Sequence, residues 1–292
     1  MPKRDKKVSK PRTPRRRARL TAKTADRHVL YEAAVQNVDA DLDFFDRVYK
    51  SHRGRLPRRI KEDFCGTAAL ACRFVERRPD NEAWGVDLHR PTLDWGIRHH
   101  VSRLGRESRR LHLLERDVRE VTRPPVELVS ALNFSYYTFK TRRDLRRYFE
   151  TARRSLTPDG LLVLDAFGGT EAMDTLLEDR NVEVSWRPDG TPVPSFTYVW
   201  EQARFNVLTH DILCHIHFKF RDRTRMNRAF TYDWRMWTLP ELQELLLEAG
   251  FRSAEVYLEG WDEEEDDTDG IFRRRKKYDN MEGWIAYVVG SR

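Results

Sequence analysis

The sequence predicts an α/β fold built on a mostly parallel sheet, with an antiparallel segment inserted late in the chain. Two observations carry this. Short apolar runs alternate with charged, helix-periodic runs from residue 59 to about residue 167, as strands and helices alternate in βαβ units. After Gly169 the period changes to near-alternation of apolar and polar residues, the pattern of half-exposed antiparallel strands.

The elements follow in order. Residues 25–53 read as one helix, because Leu30, Ala33, Ala34, Val38, Leu42, Phe45 and Val48 recur at helical spacing. Strands are expected at 59–64, 83–88, 111–117, 126–133 and 161–167, with helices at 67–77, 91–104 and 142–156 between them. Thr157-Pro158-Asp159-Gly160 supplies the turn that closes the last of these helices. Extended segments at 182–186, 196–208, 212–220 and 228–237 form the insertion, with Thr209-His210-Asp211 as a hairpin turn. A helix returns at 239–249, closed by Gly250, and strands are expected at 254–258 and 284–289. The acidic block 262–267 and the basic block 273–277 read as solvated loop. This divides the chain into a basic tail (1–24), an N-terminal helical segment (25–58), a core (59–169 and 237–292) and an antiparallel insertion (170–236).

Composition narrows the function classes. The 292 residues are 39% hydrophobic and 35% charged, with eight Trp, fifteen Phe and ten Tyr to build a core. No apolar run approaches the roughly 18–20 residues of a membrane span. The basic N-terminus has no following apolar stretch, so it does not read as a secretory signal. Three cysteines, Cys65, Cys72 and Cys214, make neither a metal-ligand spacing nor an even disulfide set, which fits a reducing, cytoplasmic setting. Residues 1–24 carry eleven Lys or Arg against one Asp; their +10, set against a formal total of +7, leaves the other 268 residues at −3. Such a tail cannot bury enough apolar surface to offset its ordering entropy and is expected to be disordered. Electrostatics would let it touch nucleic acid; a merely solubilising role is the simpler expectation.

The chemistry concentrates in one turn. Glu62-Asp63-Phe64-Cys65-Gly66-Thr67-Ala68 joins the first strand to its helix. A glycine there lets the backbone approach a ligand, and the helix start offers unpaired N–H groups. Acidic residues then recur at successive strand ends: Glu62 or Asp63, Asp87 and Asp117. In open α/β sheets ligands bind beyond the strand carboxyl ends, where the strand order reverses. An acid about twenty residues past the glycine turn is placed to hold a ribose diol. The alternative for any one of them is a helix cap.

Together these motifs resemble a class I S-adenosylmethionine-dependent methyltransferase. Phe64-Cys65-Gly66-Thr67-Ala68 is similar to that family's Gly-Cys-Gly-Thr-Gly loop, Trp84-Gly85-Val86-Asp87 to its ribose motif, and Arg116-Asp117-Val118 to its adenine-side motif. The resemblance implies a Rossmann-like seven-stranded sheet with an antiparallel last strand, helices on both faces, and an antiparallel β insertion after the fifth strand. It implies S-adenosyl-L-methionine as cofactor. Glu62 would lie near its amino group, with Cys65 and Gly66 along the methionyl part and Asp87, followed by Leu88, at the ribose. Asp117 and the Val118 N–H would meet the adenine, and Asn133 would face the reactive methyl. For Leu88 and Val118 core packing is an equal alternative. Phe64 and Ala68 stand where the family has glycine, which predicts either a different loop path or weaker cofactor binding.

Methyl transfer from a sulfonium needs alignment and exclusion of water more than acid–base groups, so no catalytic triad is expected. Asn133 and Tyr136 are candidates for positioning the acceptor. Asn133-Phe134-Ser135-Tyr136 resembles the Asn-Pro-Pro-Tyr motif of amino-methylating enzymes without its prolines. Tyr136 and Tyr137 are expected to line the acceptor pocket, and Arg235 to meet either an acidic acceptor or, as the simpler expectation, a salt-bridge partner. The helix at 25–53 would close the cofactor from the other side, with Tyr31 and Gln36 near it. His215 and His217 share a strand face, but without a third ligand they read as ordinary sheet histidines. The expected function is methyl transfer to nitrogen or oxygen of a small-molecule acceptor. The alternatives are an RNA or protein methyltransferase docked through residues 1–24, and a non-catalytic protein that kept the fold.

Overall fold

The computed structural model describes residues 20–262 and 267–292. The N-terminal segment forms two helices, α1 (Arg27–Val35) and α2 (Val38–Arg53). The core begins with β1 (Arg59–Asp63), α3 (Ala69–Arg77), β2 (Glu82–Asp87), α4 (Arg90–His99), β3 (Leu111–Glu115) and β4 (Val126–Ala131). It continues through α5 (Arg142–Ser155) and β5 (Leu156–Gly168). Next come β6 (Leu176–Val182), β7 (Ser185–Trp186), β8 (Pro192–Val193), β9 (Phe196–Phe205), β10 (Asp211–Lys219) and β11 (Arg225–Arg235). The chain closes with α6 (Leu239–Glu248), β12 (Ser253–Asp262), β13 (Asp267–Arg274) and β14 (Trp284–Ser291).

The main sheet has the order β13-β12-β14-β5-β4-β1-β2-β3. Strands β1 to β5 pair in parallel, whereas β14 runs antiparallel to both β5 and β12. The order reverses between β1 and β4, so the crevice at their carboxyl ends is the ligand position of this architecture. Alternation along β5 divides the core in two. Leu161 and Val163 pack with α2 and α3, while Leu162 and Leu164 pack with α5 and α6. A second sheet, β11-β10-β9-β6, is antiparallel throughout, and α1 buries Leu30 and Ala34 against its Ile216 and Phe218.

Four local expectations are revised. The helix expected at 25–53 breaks at Gln36-Asn37, because the Asn37 side chain accepts from Ala40 N at 3.4 Å and caps α2. Thr157–Gly160 is a four-residue bulge inside β5, since Val126 pairs with Leu156 but Leu128 with Leu161. The charged blocks contribute β13, an eighth strand at the sheet edge, where the loop reading expected none. Its single ring, Phe272, packs on Phe44 and Tyr287, while Arg274 pairs with Glu255 at 3.2 Å and Arg273 with Asp269 at 2.5 Å. Residues 263–266 of the acidic block lie outside the described residues, as do 1–19 of the tail. The tail's last residues are anchored: Leu20 and Ala22 pack against the antiparallel sheet, and Ala22 N donates to Thr224 Oγ1 at 3.0 Å.

The central strand carries an unusual pair. Lys61 Nζ and Asp63 Oδ1 lie 2.8 Å apart with both side chains fully buried, and Tyr148 donates to the other Asp63 oxygen at 3.0 Å. Removing one partner strands a buried charge. Lys61→Met is therefore expected to cost about 3–5 kcal/mol in urea unfolding, and Lys61→Met with Asp63→Leu to recover most of it. A single variant within about 1 kcal/mol of wild type would contradict the buried-pair account.

Candidate functional site

The turn after β1 reverses the chain through three left-handed residues in alternation: Phe64 (φ 57°), Gly66 (φ 53°) and Ala68 (φ 58°). Phe64 and Ala68 thus hold the conformation that glycine favours, at about 1–2 kcal/mol each. They do not redirect the loop away from that conformation. Packing holds them there. The Phe64 ring lies 5.9 Å from both Phe139 and Tyr148, and Ala68 is fully buried. From the other side α4 presses on the loop at Gly96, where a Cβ would come 2.2 Å from Thr67 O.

Carboxylates from neighbouring strands satisfy the turn's amides. Asp87, at the end of β2, accepts from Gly66 N at 2.9 Å through one oxygen and from His89 N at 2.7 Å through the other. Glu62 accepts from Ala71 N at 3.0 Å, inside the first turn of α3. The end of β4 repeats the device. Asn133 (φ 55°) and Phe134 (φ 57°) are left-handed, and their N–H groups donate to Asp165 of β5 at 2.6 and 2.9 Å.

A cavity of about 670 Å³ opens over these strand ends, within the range of small-molecule sites. Its floor includes Glu62, Asp63, Cys65, Gly66, Asp87 and Asn133. Its roof comes from α1 and β11: Arg27, His28, Tyr31 and Gln36 on one side, Arg228, Phe230 and Tyr232 on the other. Tyr31 and Phe230 meet with ring centroids 4.9 Å apart. Two ties hold α1 down: Trp95 Nε1 donates to Asp26 at 2.7 Å, and Thr67 Oγ1 to Glu32 at 2.7 Å. Gln36 Oε1 is buried without a hydrogen-bond partner among the described residues. Burial, reinforced by Arg27, lowers the His28 pKa and favours the neutral imidazole. A larger cavity, about 780 Å³, lies on the far side of α1, but no strand of the main sheet reaches its wall.

The expected site residues divide. Glu62, Cys65, Gly66, Asp87 and Asn133 meet in one cavity wall, and Tyr31 and Gln36 lie above them. Leu88 points outward at 67% exposure. Val118 is packed in the core, and Asp117 is held by Arg119, whose guanidinium lies 2.6 Å away and lowers its pKa. Neither lines the cavity. Tyr136 and Tyr137 are fully buried: Tyr136 OH donates to Asp165 O at 2.6 Å and Tyr137 OH to Trp237 O at 3.4 Å, so they support the Asn133 turn from below. Arg235 stacks on Trp237 at 3.8 Å and pairs with Glu241 at 3.0 Å, away from the cavity. Strand parity carries the missed signal. Phe230 and Tyr232 are two apart on β11, and an odd-numbered Arg235 falls on the other face. His215 and His217 bond to Thr231 and Glu201 at 2.9 and 2.8 Å.

No protein-family model matches the sequence, and neither does any curated protein. Solved structures do match. A SAM-bound amino pentose methyltransferase of Micromonospora echinaspora aligns over 91% of this chain and 95% of its own, with TM-score 0.62 and 15% identity. A sugar N-methyltransferase of Streptoalloteichus aligns over 100% and 98%, with TM-score 0.60 and 17% identity. A S-adenosylmethionine-dependent methyltransferase of Clostridium acetobutylicum aligns over 89% and 96%, with TM-score 0.61 and 14% identity. The chain therefore has the class I methyltransferase fold.

Two expected outcomes follow from the site's geometry. Ala68→Gly should raise stability in urea by about 1 kcal/mol by relieving the left-handed alanine, whereas Phe64→Gly should lower it because it also removes a packed ring. Equal gains in both variants would contradict the packing argument. Burial also raises Asp41 to about 6, Asp165 to about 7 and Glu62 to about 8. The folded protein keeps these protons after the unfolded chain, with carboxyl values near 4, has lost them. Their contribution to stability is present below about pH 4 and is lost as pH rises through about 6 to 8. The Tm of the ligand-free protein should fall between pH 5 and pH 9, and less steeply in Glu62→Gln; an identical slope in that variant would contradict the assignment.

Proposed function

We propose that this protein transfers a methyl group from S-adenosyl-L-methionine to a nitrogen or oxygen of a small-molecule acceptor. The observation that carries the reading is the convergence of the acids at the ends of β1 and β2 and a glycine turn in one roofed cavity, at the switch point of a methyltransferase fold. Asp87 holds the ribose hydroxyls, a role that suits a carboxylate already fixed by two backbone N–H groups. Gly66 lets the backbone approach the methionyl part, and Cys65 and Glu62 flank it. Gln36 supplies a buried acceptor that none of the described residues engages. Asn133, fixed by Asp165, is the residue placed to orient the acceptor, with Tyr136 supporting it through the Asp165 carbonyl.

When bound, the cofactor supplies an electrophilic methyl on a sulfonium. The chain's own residues contribute alignment and dryness: α1 and β11 cover the cavity, and the aromatic rings of Tyr31, Phe230 and Tyr232 exclude water. Neutral His28 is the group in the roof able to take a proton released by the acceptor. Two of the similar structures are an amino pentose methyltransferase and a sugar N-methyltransferase, which supports an acceptor of that size. No helix among the described residues is long and apolar enough to cross a membrane.

Calorimetry should show S-adenosylhomocysteine binding to the wild type, weakened about 100-fold or more in Asp87→Asn. Incubation of the protein with methyl-labelled cofactor and a fractionated cell extract should place label in small molecules. Label in RNA or protein would replace the acceptor class, and absence of cofactor binding would sink the enzyme reading.

A further inference from the structure

We infer that the acceptor carries an anionic group, a phosphoryl or a carboxylate, held by Arg27 and Arg228 on either side of Phe230. The inference rests on the methyltransferase reading of this cavity and assigns its second ligand. The cavity has two unlike sides: its floor carries Asp87, beside Glu62 that burial keeps protonated and Asp63 that is paired with Lys61, while its roof carries the two arginines. The Asp87 carboxylate at the floor suits a ribose diol and a cationic sulfonium. Arginines at the roof suit the opposite charge.

Both guanidinium groups are available. Arg27 lies 5.4 Å over the Phe230 ring, and neither arginine forms an ion pair among the described residues. Several arginines elsewhere in the fold, among them Arg73, Arg77, Arg78 and Arg90, reach carboxylates within 3.5 Å. The acids nearest in sequence or strand are already engaged. Asp26 accepts from Trp95 Nε1 and from two backbone N–H groups, and Glu201 is bonded to His217 at 2.8 Å.

Arg228 is also placed by an irregularity that costs energy. The pairing of β10 with β11 shifts between Ile216 and Phe218, and Arg228 sits in that bulge at φ 47° with its N–H on His217 Nδ1 at 3.1 Å. A bulge re-aims a side chain, and a left-handed arginine is strained. The result is a second guanidinium at the mouth of the cavity. Two forked donors beside an aromatic ring recognise carboxylate or phosphoryl oxygens bidentately. Their positive charge also disfavours an ammonium at the acceptor, so an amine would be held with its lone pair free.

The test uses the full chain and three probes in titration calorimetry: pyrophosphate, benzoate, and neutral benzamide, each with and without S-adenosylhomocysteine. One anion should bind while benzamide does not, and the double variant Arg27→Gln with Arg228→Gln should weaken that anion by about tenfold or more. The same variant should keep its S-adenosylhomocysteine affinity within about twofold. Tighter pyrophosphate assigns a phosphoryl group, and tighter benzoate a carboxylate. Failure of both anions to bind, or binding undiminished in the double variant, overturns the inference. Loss of S-adenosylhomocysteine binding in the wild type would instead overturn the methyltransferase reading, so the two failures are separable.

Discussion

The structure depends on how β1 hands the chain to α3. Within five residues the backbone must reverse, expose its amides to a cavity and still satisfy those that are buried. It does so with left-handed residues at 64, 66 and 68, only one of which is glycine. The strain at Phe64 and Ala68 is tolerated because the neighbours leave no alternative. Phe64 is enclosed by Phe139 and Tyr148, α4 presses on Thr67 at Gly96, and Asp87 fixes the Gly66 amide. The fully buried Lys61–Asp63 pair immediately upstream ties the same strand end to α5 through Tyr148.

The same solution appears twice, on either side of the switch point. Asp87 of β2 holds the turn after β1, and Asp165 of β5 holds the turn after β4. Asp165 accepts both N–H groups of its turn, at 133 and 134, whereas Asp87 accepts one from the turn, Gly66 N, and one from its own strand end, His89 N. Charge-assisted bonds of this kind orient a loop without occupying the cavity in front of it. The cavity is then closed by α1, which is pinned to α4 and to the turn by Asp26 and Glu32, and by the even-numbered face of β11.

Much of this was legible in the sequence because period and spacing are local properties. The alternation of strands and helices, the change of period after Gly169, and the strand-end acids Glu62, Asp63 and Asp87 all survive in three dimensions. What escaped was decided by tertiary context. Nothing local shows that Phe64 and Ala68 can be held left-handed, since packing from α4 and α5 sets the balance. Strand β13 lies between two charged blocks and is itself half charged, and the packing of the partly buried Phe272 on Phe44 and Tyr287 reveals it. Tyr136 and Tyr137 read as pocket residues because they follow Asn133, yet the left-handed turn at 133–134 sends them into the core. Arg235 was misplaced for a reason visible in the sequence: it has the wrong parity to share a face with Tyr232.

Amide hydrogen exchange with and without S-adenosylhomocysteine tests the central claim most directly, because it asks both whether the cofactor binds and where. The account predicts slowed exchange in the turn at 64–68, after β2 at 87–92 and along α1, with the far-side cavity wall at 185–193 unchanged. Protection confined to 185–193, or no protection at all, would contradict it.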